Sequence, residues 1–147
     1  MKLEGTIIII ADLGELKVFK VIKHEGIVGN ELKTSYSLEL ISDLDYIATH
    51  KKISELVSDK AGNFKGGNIE DNKLEDQIEK RTVKDIAADI ESVVNDQQPK
   101  QLFIAFPKES NRQLLDALSP QTKDMIVKNV KLNLIKEDKN KILSFFQ

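Results

Sequence analysis

The run Ile7-Ile8-Ile9-Ile10, bounded by Thr6 and Ala11, constrains this chain more than any other stretch. Successive side chains of a strand point to opposite faces, so four isoleucines in a row load both faces with branched apolar groups. Neither face tolerates water. The strand, placed at residues 5–11, therefore belongs at the centre of a sheet covered on both sides. It ends on Asp12-Leu13-Gly14, a carboxylate and a glycine turn, and the chain runs straight back through residues 15–23. Lys17, Lys20 and Lys23 belong on or near the wet face of that second strand.

The remaining elements follow from periodicity. Gly26–Glu31, with Gly29-Asn30 inside it, is a turn signal. Residues 33–42 alternate, Thr34, Tyr36, Leu38 and Leu40 against Ser35, Ser37 and Glu39, as a strand with one buried face does. Tyr46–Val57 has room for a short helix, and the wider region 43–70 is expected to be a mobile loop and a working surface. A long helix is predicted from about Asp71 to Gln97: Leu74, Ile78, Val83, Ile86, Ala87, Ile90 and Val94 form one stripe. Glu75, Asp76, Glu79, Lys80, Lys84, Asp85 and Glu91 form its solvated faces, and Pro99 closes the segment.

Gln101–Phe106 is a second nearly continuous apolar run, hence a central, parallel strand stopped by Pro107. Ser110-x-x-Gln113 reads as a capping box, with Leu114, Leu115 and Leu118 inward. Ser119-Pro120 opens a further helix with serine as cap. Residues 129–135 alternate as a fifth strand, and a closing helix covers 137–146. The order is strand-strand-strand-helix-strand-helix-strand-helix. Right-handed crossovers place the fourth strand beside the first and the fifth outside it. The expected fold is α/β: a ribonuclease H-like, three-layer, mixed five-stranded sheet ordered 3-2-1-4-5, an antiparallel meander first, with helices on both faces.

Composition narrows the function classes. A chain of 147 residues with 40% apolar and 31% charged side chains fits one domain, taken as 1–147. The absence of cysteine rules out disulfides, thiol catalysis and cysteine metal sites. No apolar run reaches the ~20 residues a bilayer demands, and the first residues lack signal-peptide architecture, so no membrane is expected and the compartment expected is the cytoplasm. A net charge of −2 argues against coating nucleic acid by bulk charge but leaves room for a local basic patch.

Asp12 is placed where ribonuclease H-like nucleases hold a metal-binding carboxylate. Two-metal chemistry needs several converging oxygens, and the fourth strand ends Ala105-Phe106-Pro107 with no acid before Glu109. The ordinary role of such an aspartate is to accept hydrogen bonds from its own turn. Asp12-Leu13-Gly14 also echoes the first phosphate loop of the sugar-kinase and actin group, whose second lobe a chain of this length cannot supply. No Gly-x-x-x-x-Gly-Lys loop and no Gly-x-Ser-x-Gly elbow is present. His24 and His50 fall on different elements, in no spacing that suits a metal, and read as surface residues. No metal and no cofactor is expected. Lys123, Lys128, Lys131, Lys136, Lys139 and Lys141 are interrupted only by Asp124, Glu137 and Asp138, a local excess that could meet phosphates.

Several stretches together resemble a known family. They are the strand ending in Asp12, Lys17-Val18-Phe19, the loop Ser58-Asp59-Lys60-Ala61-Gly62, the acidic long helix, Leu102–Pro107 and Leu114-Leu115-x-x-Leu118-Ser119. In this order they are similar to the bacterial "protein required for attachment to host cells" family, itself similar to the middle domain of archaeal and eukaryotic-type peptide-chain release factors. The resemblance covers nearly the whole chain and implies a translation-associated domain. In the release factors a Gly-Gly-Gln tip precedes the long helix and its glutamine positions a water for ester hydrolysis; here that place reads Gly66-Gly67-Asn68. Asparagine is one methylene shorter, and a displacement on the order of 1 Å costs ~100-fold in a positioned reaction. The resemblance therefore implies a non-enzymatic module that contacts ribosome or RNA through Ser58, Asp59, Gly62, Gly66, Gly67 and Asn68, and the local lysine excess adds Lys128 and Lys131 to that surface. The alternative is a hydrolase of peptidyl-tRNA or a related ester, with Asn68 as its catalytic candidate.

Overall fold

The computed structural model describes residues 3–46 and 67–147, with backbone alone for 67–75. Five strands, β1 (Thr6–Ala11), β2 (Glu15–Val28), β3 (Glu31–Asp45), β4 (Gln101–Ala105) and β5 (Ile126–Val130), form one sheet ordered β3-β2-β1-β4-β5. β1 pairs antiparallel with β2 and parallel with β4, and β5 extends the parallel side. This is the mixed 3-2-1-4-5 sheet expected from the isoleucine run. Between and after the strands lie α1 (Gly67–Gln97), α2 (Lys108–Ala117), α3 (Pro120–Met125), α4 (Lys139–Ile142) and a 3₁₀ turn, Leu143–Phe146.

Two cores follow from the alternation of β1. Ile7, Ile9 and Ala11 join Leu16 and Val18 under the α1 stripe Val83, Ile86, Ala87, Ile90 and Val94, with Leu114 and Leu118 beside it. Ile8 and Ile10 point the other way, to Phe19, Val21, Leu38, Phe103, Leu134, Ile135, Ile142 and Phe146. Phe103 and Phe146 stack there with ring centroids 5.3 Å apart. Helices thus cover both faces, long ones on one side and the short C-terminal turns on the other.

Several boundaries move, each for a local reason. β2 and β3 run well past 23 and begin before 33, because Gly29-Asn30 makes a two-residue turn with Val28 paired to Glu31. Gly29, at φ +67, takes the left-handed first position that this turn type requires. α1 starts at Gly67 rather than near Asp71, so residues 43–45 and 67–70 of the expected loop region are strand and helix. Residues 47–66 of that region, and with them all but the first residue of the short helix expected in Tyr46–Val57, lie outside the described residues.

Ser110 caps nothing: α2 begins at Lys108, directly after Pro107, and the Ser110 amide already bonds the Pro107 carbonyl within the first turn. Ser119 does cap α3, accepting from the Thr122 amide with Pro120 at the first turn. The last strand is Ile126–Val130 rather than 129–135. Leu134 and Ile135 are buried, but as plugs on the second core rather than as strand residues. The closing helix shortens to α4 and the 3₁₀ turn, with Asp138 as its cap.

Candidate interaction surfaces

The Asp12 carboxylate is spoken for. Its Oδ1 accepts from the amides of Gly14 (2.8 Å) and Glu15 (2.9 Å), and its Oδ2 from Asn133 Nδ2 (3.1 Å). The first pair closes the β1–β2 turn. The third ties that turn to the segment leaving β5, whose Asn133 Oδ1 also accepts from the Ile135 amide. Lys17 Nζ donates to the Ile135 carbonyl at 3.2 Å and fixes the same crossing. Asp12 is thus the turn acceptor that Asp-x-Gly sequences favour. Beside it, a hydrogen bond with Asp43, then burial and the like charge of Asp43, raise the Glu15 carboxyl above its ordinary range. Among the described residues, no group of three or more His, Asp or Glu side chains is placed to hold a metal ion.

Other polar groups are tied in the same way. Tyr46 donates its hydroxyl to Asp89 Oδ2 at 2.7 Å; burial, then that bond, push its phenol well above the usual range. Asn111 and Asn129 exchange reciprocal amide bonds of 2.9 and 2.8 Å, and Asn111 also donates to the Phe106 carbonyl, joining α2 to β5. Glu91 belongs by its sequence to the wet face of the long helix, yet its carboxylate accepts from the Ser119 amide (2.7 Å), Ser119 Oγ (3.2 Å) and Thr122 Oγ1 (2.8 Å). An open pocket of about 520 Å³ borders these groups, with Asn95, Gln98, Gln121 and Met125 on its walls. Among the described residues no buried side-chain polar atom lacks a partner. His24 is an exposed residue 2.6 Å from Ser37 Oγ.

The sequence-derived site residues divide. Ser58, Asp59, Gly62 and Gly66 lie outside the described residues, as does His50. Gly67 and Asn68 are the first two residues of α1. Lys128 stands on β5 opposite Phe103, so it shares the face of the second core and is half-buried; Lys131 follows, exposed. Lys136, Lys139 and Lys141 are exposed on the segment that covers the same face. Lys123 parts from them. It sits on α3, whose Thr122 is bonded to Glu91 of α1 on the opposite layer.

One surface escapes a reading by sequence. β1 pairs only with residues 16–20 of β2, so beyond them β2 and β3 continue as a two-stranded ribbon. Residues 23–35 are all exposed, and near the tip Ile27 is 78%, Val28 58% and Leu32 66% accessible. The available signal was the Gly29-Asn30 pair flanked by apolar residues, a hairpin signature that extends strands up to the turn.

What emerges among the described residues is an α/β domain whose polar groups at the sheet ends hold one another, with the ribbon and the lysine-bearing C-terminal face exposed. The chain belongs to the family described as protein required for attachment to host cells, which matches residues 7–144, from the first isoleucine into the 3₁₀ turn. No curated protein matches it. Among the described residues, no helix is long and apolar enough to cross a membrane.

Proposed function

We propose that this member of the host-attachment family is a non-enzymatic, cytoplasmic module that contacts RNA, on the ribosome, through its C-terminal basic face. The observation that carries the reading is the run Lys128, Lys131, Lys136, Lys139 and Lys141, on or beside the layer over the second core. None of them forms an ion pair among the described residues, where the ion pairs are Lys17–Glu15, Lys23–Glu4 and Lys23–Glu25. Of the two acids interspersed there, Asp138 is occupied as the cap of α4. Lysines held on an ordered scaffold attract phosphates without reading bases, and such contacts weaken steeply with salt. The resemblance to release-factor middle domains, and the ribonuclease H-like strand order it shares, support a translation partner.

The test is co-sedimentation with ribosomes at low and high salt, beside filter binding to RNA. The chain should travel with ribosomes at low salt and leave at high salt. The combined change Lys131→Glu, Lys136→Glu and Lys139→Glu should weaken binding steeply and flatten the salt dependence of what remains, by about 0.7–0.9 in log-log slope for each phosphate no longer neutralised. Absence from every ribosomal fraction, or binding indifferent to these reversals, rejects the reading.

A second reading, hydrolysis of peptidyl-tRNA or a related ester at Gly66-Gly67-Asn68, draws support from one observation. Gly67 and Asn68 are the first two residues of the 31-residue α1, next to the stretch before the long helix where the release-factor resemblance sets a catalytic tip. Peptide release from stalled ribosomes that Asn68→Ala abolishes would favour it. Activity appearing only in Asn68→Gln would mark the native loop as inactive.

A further inference from the structure

β3 is the outermost strand on its side of the sheet, and its outer half belongs to a ribbon with nothing paired beyond it among the described residues. A lone two-stranded ribbon is marginal in water. Its free edge is also a template for another strand. The residues along that edge say which strand fits.

The two-residue turn makes Val28 and Glu31 a hydrogen-bonded pair. Alternation from there turns the backbone groups of Leu32, Thr34, Tyr36, Leu38 and Leu40 outward. The same residues share the second-core face, since Leu38 lies opposite Val21, Leu40 opposite Phe19, and Tyr36 packs against that core. Two of them are apolar and left in water, Leu32 at 66% and Leu40 at 46% exposure. Lys33 and Glu39 stand exposed on the opposite face, and neither has an ion pair among the described residues.

We propose that this edge pairs antiparallel with the same edge of a second copy of the chain, about a two-fold axis through Tyr36. In that register the two Tyr36 residues meet, Leu32 lies opposite Leu40 of the second copy, and Lys33 lies opposite its Glu39. The leucine and charge contacts each occur twice, the Tyr36 contact once, on the axis. Outward backbone groups face outward backbone groups throughout, and residues opposite one another share a face, as antiparallel pairing demands. Neighbouring registers lose the charge match. Centring on Ser35 sets Glu31 against Glu39, and centring on Ser37 sets Glu39 against Ser35 and Lys33 against Ile41, at the bulge between the Val18 and Phe19 pairings where the alternation of faces breaks. Charge complementarity selects one alignment, and that alignment covers the exposed leucines. The partner is a copy of this chain, and the continuous sheet would run through both.

Sedimentation equilibrium tests this. Wild type should show a monomer–dimer equilibrium. Lys33→Glu turns both ion pairs into Glu–Glu contacts, and Glu39→Lys turns both into Lys–Lys contacts. Each alone should weaken dimerisation at least ~10-fold. Mixed in equal amounts they should dimerise again, because each chain then offers the charge the other lacks. Within its own chain Glu39 faces Lys20, so Glu39→Lys is checked by circular dichroism; if it misfolds, Lys20→Glu is added to it to restore opposite charges between β2 and β3, and the mixture is repeated with that chain. The chain has no cysteine. Tyr36→Cys should therefore cross-link to itself under mild oxidation, since hydrogen-bonded pairs set Cα atoms ~5.5 Å apart, within disulfide reach. Thr34→Cys should not. A wild type monomeric up to millimolar concentration, a dimer indifferent to the single reversals, or no recovery on charge exchange overturns the proposal. So does pairing with an unrelated extended peptide in place of a second copy.

Discussion

β1 and the outer part of the β2–β3 ribbon belong to one sheet and contain similar residues, yet they live in different solvents. Every β1 residue is buried, with α1 and α2 over one face and the C-terminal turns over the other. Ile27, Val28 and Leu32 are just as branched or apolar and stand mostly in water. Strand propensity is common to both; cover is not. Burying a side chain of this size yields about 1.5–3 kcal/mol, so the centre collects that stabilisation many times and the ribbon forgoes it. The sheet is therefore a stable platform continued by a bare extension.

The largest test of this contrast sets Ile9→Ala against Ile27→Ala. Ile9 is wholly buried between β2, β4 and the α1 stripe, so its truncation leaves a cavity and should lower the unfolding free energy by about 2–5 kcal/mol. Ile27→Ala should change it by less than ~0.5 kcal/mol. Urea unfolding of both variants, held below the concentration of any self-association, measures the difference. Similar losses at the two positions would mean that the ribbon is covered in solution after all.

The same contrast explains what could be read from the residues. Ile7–Ile10 and Leu102–Phe106 could only be doubly covered strands, and from two such strands the order 3-2-1-4-5 followed. Asp12 was legible too, because Asp-x-Gly turns satisfy themselves locally. The ribbon beyond Lys23 was not, since its charges look alike whether they belong to an exposed strand or to a loop. Leu132 and Leu134 alternate like strand residues, but the strand had already been spent on Ile126–Val130, and Leu134 with Ile135 instead fills the second core. Glu91 looked like one more surface acid because its partners, Ser119 and Thr122, are 28 and 31 residues away in sequence. The lysines from 123 to 141 were found as a group, but only the structure could separate Lys123 by placing it on the other layer. The glycine-rich stretch was read from its residues only as part of a loop and working surface; the resemblance alone made Gly66-Gly67-Asn68 a tip.

A middle-sized effect probes the cover itself. Glu91 links α1 to the start of α3, and cutting that link loosens the layer over β1. Burial pushes the Glu91 carboxyl up, but the bonds from the Ser119 amide, Thr122 and Ser119 Oγ outweigh it and hold the group below the ordinary carboxylate range. A group depressed in the folded state stabilises the fold fully above its unfolded value and loses that contribution as pH falls through the folded value. Glu91→Gln should cost about 1–3 kcal/mol at neutral pH, since an amide nitrogen then faces donors. The gap between wild type and variant should narrow on acidification, and comparing the two cancels the opposite trend expected from Glu15. Urea midpoints at neutral and acid pH give both numbers. A gap independent of pH would show that the carboxylate charge is not what joins the layers.

The smallest global effect, and the sharpest local one, belongs to Gly29. Its φ of +67 suits glycine, and no atom lies within 4 Å of an added Cβ, so Gly29→Ala meets no clash and costs only the left-handed conformation, about 1 kcal/mol. If the ribbon opens independently of the platform, that cost falls on the ribbon. Every opening that releases the ribbon then becomes about 5-fold more frequent, the factor that 1 kcal/mol represents, so amides in residues 22–37 speed up, and those of β1 and β4 speed up with them through global unfolding, by less where the ribbon's own pairing is worth under about 1 kcal/mol. What separates the regions is the opening free energy itself, which native-state hydrogen exchange gives residue by residue and which should be lower for 22–37 than for β1 and β4. Equal opening free energies in both would show one cooperative unit, in which bare and covered halves unfold together despite their different surroundings.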